Sequence, residues 1–333
     1  MSVFIIAELS ANHNNDFDLA CETISAIAKT GADAVKVQTF RPESLALDVD
    51  NEYFGPKKEG AWAGWRPWDL YKQAALPYEW HQPLKELAER LGLVFFSSPF
   101  DLEAIDFLET LQVPLYKIAS FEINDIPLIQ KVAQTGKPII MSTGVASEAD
   151  IELAVQTCQA VGNTDITLLK CTSEYPAKLD DANLQTLLEL KQHFSVKVGL
   201  SDHTMEDLLP IMSVAMGAVV IEKHFILNRN LGGVDSGFSM NPVEFRQMVR
   251  QVRDAEKALG RVQYNDSDKN HGRKRSLFAV QDIQPGEAFT EQNVRSLRPN
   301  IGIEPKFFQQ VLQSRSKSLI KKGDPIYEYF LVY

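Results

Sequence analysis

Cysteine is scarce in this chain, with three in 333 residues. Cys21, Cys158 and Cys171 are an odd number without metal-ligand spacing. That excludes a disulfide framework and a thiolate zinc site, and leaves free thiols in a reducing cytoplasm as the expectation. Long hydrophobic runs are also missing. No stretch reaches the ~20 apolar residues of a membrane span, and the opening MSVFIIAELS lacks the basic flank and the length of a secretion signal. Positive charge is not in excess either: the formal net charge is −10, which argues against a nucleic-acid partner.

What charge there is lies unevenly. Residues 261–333 hold 12 Lys and Arg against 8 Asp and Glu, so this tail carries +4 and the remainder −14. A basic tail on an acidic body suggests two surfaces that meet, within one chain or between chains.

Eight short, nearly continuous apolar runs punctuate the first 225 residues, at 3–8, 33–38, 93–98, 114–120, 137–143, 166–171, 196–201 and 218–224. Such runs suit parallel strands buried on both faces, and most are separated by segments of helical spacing such as EADIELAVQTCQAVG. Strand and helix alternating eight times predicts a (β/α)8 TIM barrel. An open, doubly wound sheet is the alternative, but no GxGxxG follows the first run.

Almost every run ends in polar residues, and in a barrel those ends converge on one mouth, where active sites sit. The connection 41–77 breaks the rhythm with three of the chain's four tryptophans, as expected of a loop that closes over a substrate or lines its pocket. Polar residues 263–275 read as a linker between a barrel at 1–262 and a domain at 276–333. There, strands of four to six residues separated by turn signals such as QPGE and KKGD predict a small β-rich unit.

The sharpest pair is His203 in GLSDHT and His224 in IEKHF, at the ends of neighbouring strands. Two imidazoles placed so can hold a divalent ion and leave positions open, with Asp202 or Glu222 orienting a ligand or moving a proton. Lys36, Lys117, Ser98, Ser120, Ser142 and Ser201 combine two ammonium groups with several hydroxyls, a set suited to a phosphate dianion. The competing reading for Lys36 or Lys117 is a buried ion pair with Glu8 or Glu122. Glu8, Glu122 and Glu222 are equal candidates for proton transfer and for holding sugar hydroxyls. Asn12, His13 and Asn14 follow the first strand, and His13 suits a structural role as well as a catalytic one. His81, His193 and His271 stand in helix or linker contexts without a role.

AELSANHN, AVKVQTF, FFSSPFD, YKIASFE, STG, CTSEYP, GLSDHT and IEKHF, in this order and spacing, resemble the sialic acid synthases, enzymes that build nine-carbon nonulosonic acids. The tail from Ser276, with its RPNIGI stretch, is similar to their antifreeze-like SAF domain. The resemblance implies condensation of phosphoenolpyruvate with an open-chain N-acetylated amino sugar, releasing phosphate. It implies a divalent metal, Mn2+ before Mg2+ or Co2+, on His203 and His224. Lys36, Ser98, Lys117, Ser120, Ser142 and Ser201 would then bind phosphoenolpyruvate, Glu122 and Glu222 would transfer protons, and Glu8 would contact the sugar. Gln38, Ser173, Tyr175 and Asp235 complete the expected substrate contacts. Arg298 matches an arginine sent to a partner's acetamido site in a domain-swapped homodimer.

The stretch GGVDSGFSMNP and the aromatic loop FGPKKEGAWAGWRPWDLY resemble the pseudaminic acid synthase branch, whose sugar is a 2,4-diacetamido-2,4,6-trideoxy hexose (L-altrose configuration). An aromatic pocket suits a methyl in place of a hydroxyl. Neuraminate and legionaminate synthesis are the alternatives within the family. Outside it stand a barrel aldolase using Lys36 or Lys117 as a Schiff-base nucleophile, and a carbohydrate-binding protein without catalysis.

Overall fold

The computed structural model describes residues 2–264 and 271–333. Of the expected linker, 265–270 lie outside the described residues. The chain divides into two compact units, Met1–Gly260 and Arg261–Tyr333.

In the first unit eight parallel strands close in sequence order into a barrel. They are β1 Phe4–Glu8, β2 Ala34–Thr39, β3 Val94–Pro99, β4 Tyr116–Ile118, β5 Ile139–Ser142, β6 Ile166–Cys171, β7 Lys197–Asp202 and β8 Val220–His224. All eight expected runs are strands. The fourth is the shortest, because the chain turns at Ser120–Glu122 into a tight 3-10 turn instead of extending to residue 120. Several helices of this unit begin at well-formed caps. Asp16 accepts from the Leu19 N–H, Ser147 and Asp150 cap reciprocally, and Asn241 pairs with Glu244 at the start of the 18-residue helix Pro242–Leu259. Each cap satisfies amide donors that the first helical turn leaves free.

Side chains alternate across the barrel wall with a period of two. Facing inward, Ile6, Ala34, Phe96, Ile140, Leu169 and Val220 form one apolar cluster that fills the lower barrel. Two residues further along the same strands stand Glu8, Lys36, Ser98, Ser142, Cys171 and Glu222, all buried. The interior therefore changes from hydrocarbon to ionisable groups within one strand repeat, about 6.5 Å. Outward-facing residues pack under the helices in two further cores, around Ile24, Phe95 and Phe245 and around Tyr116, Leu128 and Leu168.

The second unit has its own core around Leu277, Ile283, Phe289, Val294, Val311 and Ile326. Its strands run two to four residues, not four to six: Ser276–Ala279 pairs antiparallel with Val294–Leu297, and Arg315–Ser316 with Leu331–Val332. The remaining extended chain makes isolated bridges, such as Ile283 with Ile320, and a short helix, Phe308–Leu312, interrupts it. So small a unit bends its chain too often for long ladders. Among the described residues, no helix is long and apolar enough to cross a membrane.

Candidate active site

The polar layer of the barrel is built around Glu222. Strand register sets it beside Ser201 of β7, whose hydroxyl donates to Glu222 Oε1 at 3.0 Å. Lys117 lies 3.4 Å and Lys36 3.8 Å from the same carboxylate. Lys36 also pairs with Glu8 across the β1–β2 ladder. Each ammonium holds a hydroxyl from the neighbouring strand, Lys36 to Ser98 at 3.2 Å and Lys117 to Ser142 at 2.7 Å.

Burial governs the charges. It would raise Glu222, but Lys117 and Lys36 outweigh it and hold this carboxyl below its ordinary value. Burial would likewise depress Lys36, yet Glu222 and Glu8 keep it raised and charged. Lys117 is lowered, chiefly by burial, and Glu8 is raised by it. Glu122, lifted by burial to about 7, stands in the turn after β4, and its Oε2 is buried without a hydrogen-bond partner. A carboxyl so tuned exchanges protons near neutral pH. The ion pair of Lys36 with Glu8 coexists with the lysine–hydroxyl set.

Beside the lysines a small cradle forms. Ser120 Oγ accepts from the Gly144 N–H at 2.7 Å, and Ser173 Oγ lies 3.6 Å from Cys171 Sγ. A Cβ on Gly144 would collide with both serine hydroxyls, so only glycine permits this close approach.

His203 and His224 face each other with ring centroids 5.2 Å apart. The Nδ1–H of His203 donates to the Thr172 carbonyl at 2.9 Å, which leaves the Nε2 lone pair free for a ligand. Among the described residues His224 Nδ1 is buried without a hydrogen-bond partner, and burial holds this imidazole well below its ordinary value, hence neutral. A divalent ion requires neutral imidazoles. Burial keeps His224 so, whereas at His203 burial is outweighed by the neighbouring Cys171, which raises the imidazole, and it must shed that proton to bind an ion. Among the described residues no group of three or more His, Cys, Asp or Glu is disposed to hold a metal, so an ion here would complete its shell from water or substrate.

A cavity of about 340 Å3 opens beside His224. One wall is aromatic: Tyr175 lies 4.4 Å from His203 and 5.0 Å from Phe238. Trp62, from the long connection after β2, caps this wall 5.3 Å from Tyr175, its indole N–H donating to the Val234 carbonyl at 2.9 Å. The lining also holds a polar chain. Gln38 donates to Ser10 at 3.1 Å, and Ser10 donates to Asp235 at 2.5 Å. The loop 41–77 thus lines the pocket.

Of the candidate residues, Glu8, Lys36, Gln38, Ser98, Lys117, Ser120, Glu122, Ser142, Ser173, Tyr175, Ser201, His203, Glu222, His224 and Asp235 gather at this mouth. Arg298 does not join them within the barrel unit: it is an exposed residue of the second unit, at a cis bond to Pro299. The carboxylate of Asp202 touches neither histidine directly; it binds Lys223 and Thr204. Asn12, His13 and Asn14 are structural. Asn12 ties to Phe225 and Ser239, His13 to Ala74 and Asn15, and Asn14 to Leu231. Sequence reasoning gave no individual role to Ser10, Cys171 or Trp62, although it expected the loop that carries Trp62 to line the pocket. The thiol of Cys171 is pushed up by burial but drawn down to about 7 by His203; its place at a strand end, two residues beyond the apolar layer, was the available signal.

Comparison with known proteins gives one consistent set of matches. The NeuB family model matches residues 23–264 and the SAF domain model residues 274–331. A pseudaminic acid synthase of Helicobacter pylori is 46% identical over 97% of this chain and 96% of its own length. An N,N'-diacetyllegionaminic acid synthase of Legionella pneumophila is 38% identical over 97% and 93%. The crystal structure of an N-acetylneuraminic acid (sialic acid) synthetase from Leptospira borgpetersenii, bound to citrate, superposes with a TM-score of 0.72 at 33% identity. That match covers 81% of this chain and 89% of the other.

Proposed function

The chain belongs to the NeuB family, and from that premise we propose that it joins phosphoenolpyruvate to the open-chain aldehyde of an N-acetylated amino sugar. The product is a nine-carbon nonulosonic acid, and phosphate is released. The sugar is 2,4-diacetamido-2,4,6-trideoxy-L-altrose, which makes the reaction pseudaminic acid synthesis. The observation that carries this reading is 46% identity with a pseudaminic acid synthase along 97% of the chain.

The roles follow from the side chains at the mouth. Lys36 and Lys117 supply charge for the phosphate of phosphoenolpyruvate, while Ser98, Ser120, Ser142 and Ser201 supply directional hydroxyls. Glu222, held anionic between the lysines, fixes their positions. The Gln38–Ser10–Asp235 side takes the polar groups of the sugar, and the Trp62–Tyr175–Phe238 wall takes its methyl-bearing end.

Carbon 3 of phosphoenolpyruvate bonds to the aldehyde carbon, and the aldehyde oxygen gains a proton. Water adds at carbon 2, and the carbon–oxygen bond to phosphate breaks as the proton of the new hydroxyl passes to the departing phosphate, leaving the 2-keto acid. Protonated Glu122 gives the first proton, and its carboxylate then takes one from the attacking water, so the residue returns to its starting form. His203 and His224 would hold a divalent ion, Mn2+ first, which when bound polarises the aldehyde. Arg298 is assigned to the acetamido group of a sugar bound by the partner chain of a homodimer, which mixing inactive Arg298→Ala and His203→Ala proteins tests through recovery of activity.

The test of the branch is a sugar panel with phosphoenolpyruvate and Mn2+, read as kcat/KM. The doubly acetamidated trideoxy sugar is expected to exceed N-acetylmannosamine by ~10–200-fold, the range a pocket contact with one methyl provides. Equal values would return the protein to the neuraminate branch.

A further inference from the structure

The faces of β7 and β8 that point away from the site carry a second set of charges. Register pairs Asp202 directly with Lys223. The pleat that sends Ser201, Glu222 and the two histidines inward sends this pair outward, beneath the helices. Lys223 Nζ meets Asp202 Oδ2 at 2.5 Å, with 0% and 1% of the two side chains exposed, and also donates to the Thr204 carbonyl. Asp202 in turn accepts from the Thr204 N–H at 2.9 Å and the Thr204 hydroxyl at 3.1 Å. The closed network therefore encloses His203, which lies between Asp202 and Thr204, and it is joined to the residue just before His224.

A pair this buried is a poor source of stability. Desolvating two charges offsets most of their attraction, and hydrophobic residues of similar volume would serve the fold as well or better. What the pair does supply is direction. It fixes strand β7 to strand β8 at the two residues preceding the imidazoles, and it holds the backbone on both sides of His203. His203 is further held by its own carbonyl, which accepts from Ala177 N at 3.0 Å.

We propose that Lys223, with Asp202 and Thr204, is a positioning device that sets the separation and tilt of His203 and His224 for a divalent ion. This inference rests on the metal reading above. It extends that reading to residues that touch neither ion nor substrate.

The experiment uses the full chain and Co2+ as a visible probe, with dissociation constants from calorimetry and ligand geometry from the absorption spectrum. Phosphoenolpyruvate affinity and melting temperature are measured on the same samples. Lys223→Met is expected to weaken Co2+ binding about 10–100-fold and to change the spectrum, while phosphoenolpyruvate affinity stays within about twofold. Thr204→Val, which removes one hydroxyl from the network, is expected to weaken Co2+ in the same sense by a smaller factor. It carries the test alone if Lys223→Met does not fold. A lowered melting temperature with unchanged Co2+ affinity and spectrum would overturn the proposal, since the pair would then serve the fold only. Wild-type protein whose Co2+ spectrum is indifferent to His203→Ala and His224→Ala would overturn the metal reading and this inference together.

Discussion

Two layers of the same barrel interior, one strand repeat apart, obey opposite rules. The lower layer, Ile6, Ala34, Phe96, Ile140, Leu169 and Val220, is hydrocarbon throughout and stabilises by burial and packing. The upper layer, Glu8, Lys36, Ser98, Ser142, Cys171 and Glu222, is equally buried yet holds charges whose desolvation opposes folding. Some of its carboxylate oxygens, Glu8 Oε1 and Glu222 Oε2, have no hydrogen-bond partner. The same strands carry both layers, so the difference is not one of local structure. A fold can maintain so polar a layer because the layer beneath it, and the helices outside, supply the stability.

Substitutions should separate the layers. Phe96→Ala, in the lower one, is expected to cost about 3–5 kcal/mol of stability through lost contacts and a cavity, with phosphoenolpyruvate affinity of the folded fraction within about twofold. Denaturant unfolding and calorimetry check both. A large loss of affinity with unchanged stability would break the comparison. In the upper layer, Lys117→Ala removes a charge-assisted contact of about 1.5–3 kcal/mol. Phosphoenolpyruvate use should therefore fall about 10–150-fold while the sugar KM moves little. If only the sugar KM rose, the lysine would face the wrong substrate.

The smallest effect sharpens the picture furthest. Glu122 is raised by burial to about 7, and the proposed cycle begins from its protonated form. Activity should therefore be present below that value and fall as pH rises through it, by up to about tenfold per unit. Glu122→Gln should abolish this limb. A pH profile of kcat/KM unchanged in the variant would move the proton donor elsewhere.

How much of this was legible in the sequence differs between fold and site. All eight strands were visible because parallel strands buried on both faces leave short, nearly continuous apolar runs, and strand ends located the mouth. The sequence could not rank Glu8, Glu122 and Glu222, since their separation depends on which lysines lie across the barrel. Glu222 meets two, and among the described residues Glu122 forms no ion pair. How Asp202 acts was hidden for a related reason: one step along a strand reverses the face, and its carboxylate meets Lys223 rather than an imidazole. Trp62 was hidden in a loop without periodicity, where only a tertiary contact with Val234 reveals its use. The second unit's strands were overestimated because turn signals mark where strands stop, not how many residues between them find a partner.

One measurement tests the central claim most directly: that the upper layer and the two histidines perform a condensation without a covalent lysine intermediate. Protein, phosphoenolpyruvate, Mn2+ and the doubly acetamidated sugar are incubated, and phosphate and acid product are quantified in the same tube, with borohydride added to a parallel sample. The account predicts one phosphate for each nine-carbon acid identified by mass, loss of both on chelation, and no borohydride adduct on the protein. Phosphate released without a nine-carbon product, or a borohydride-trapped adduct on Lys36 or Lys117, would contradict it.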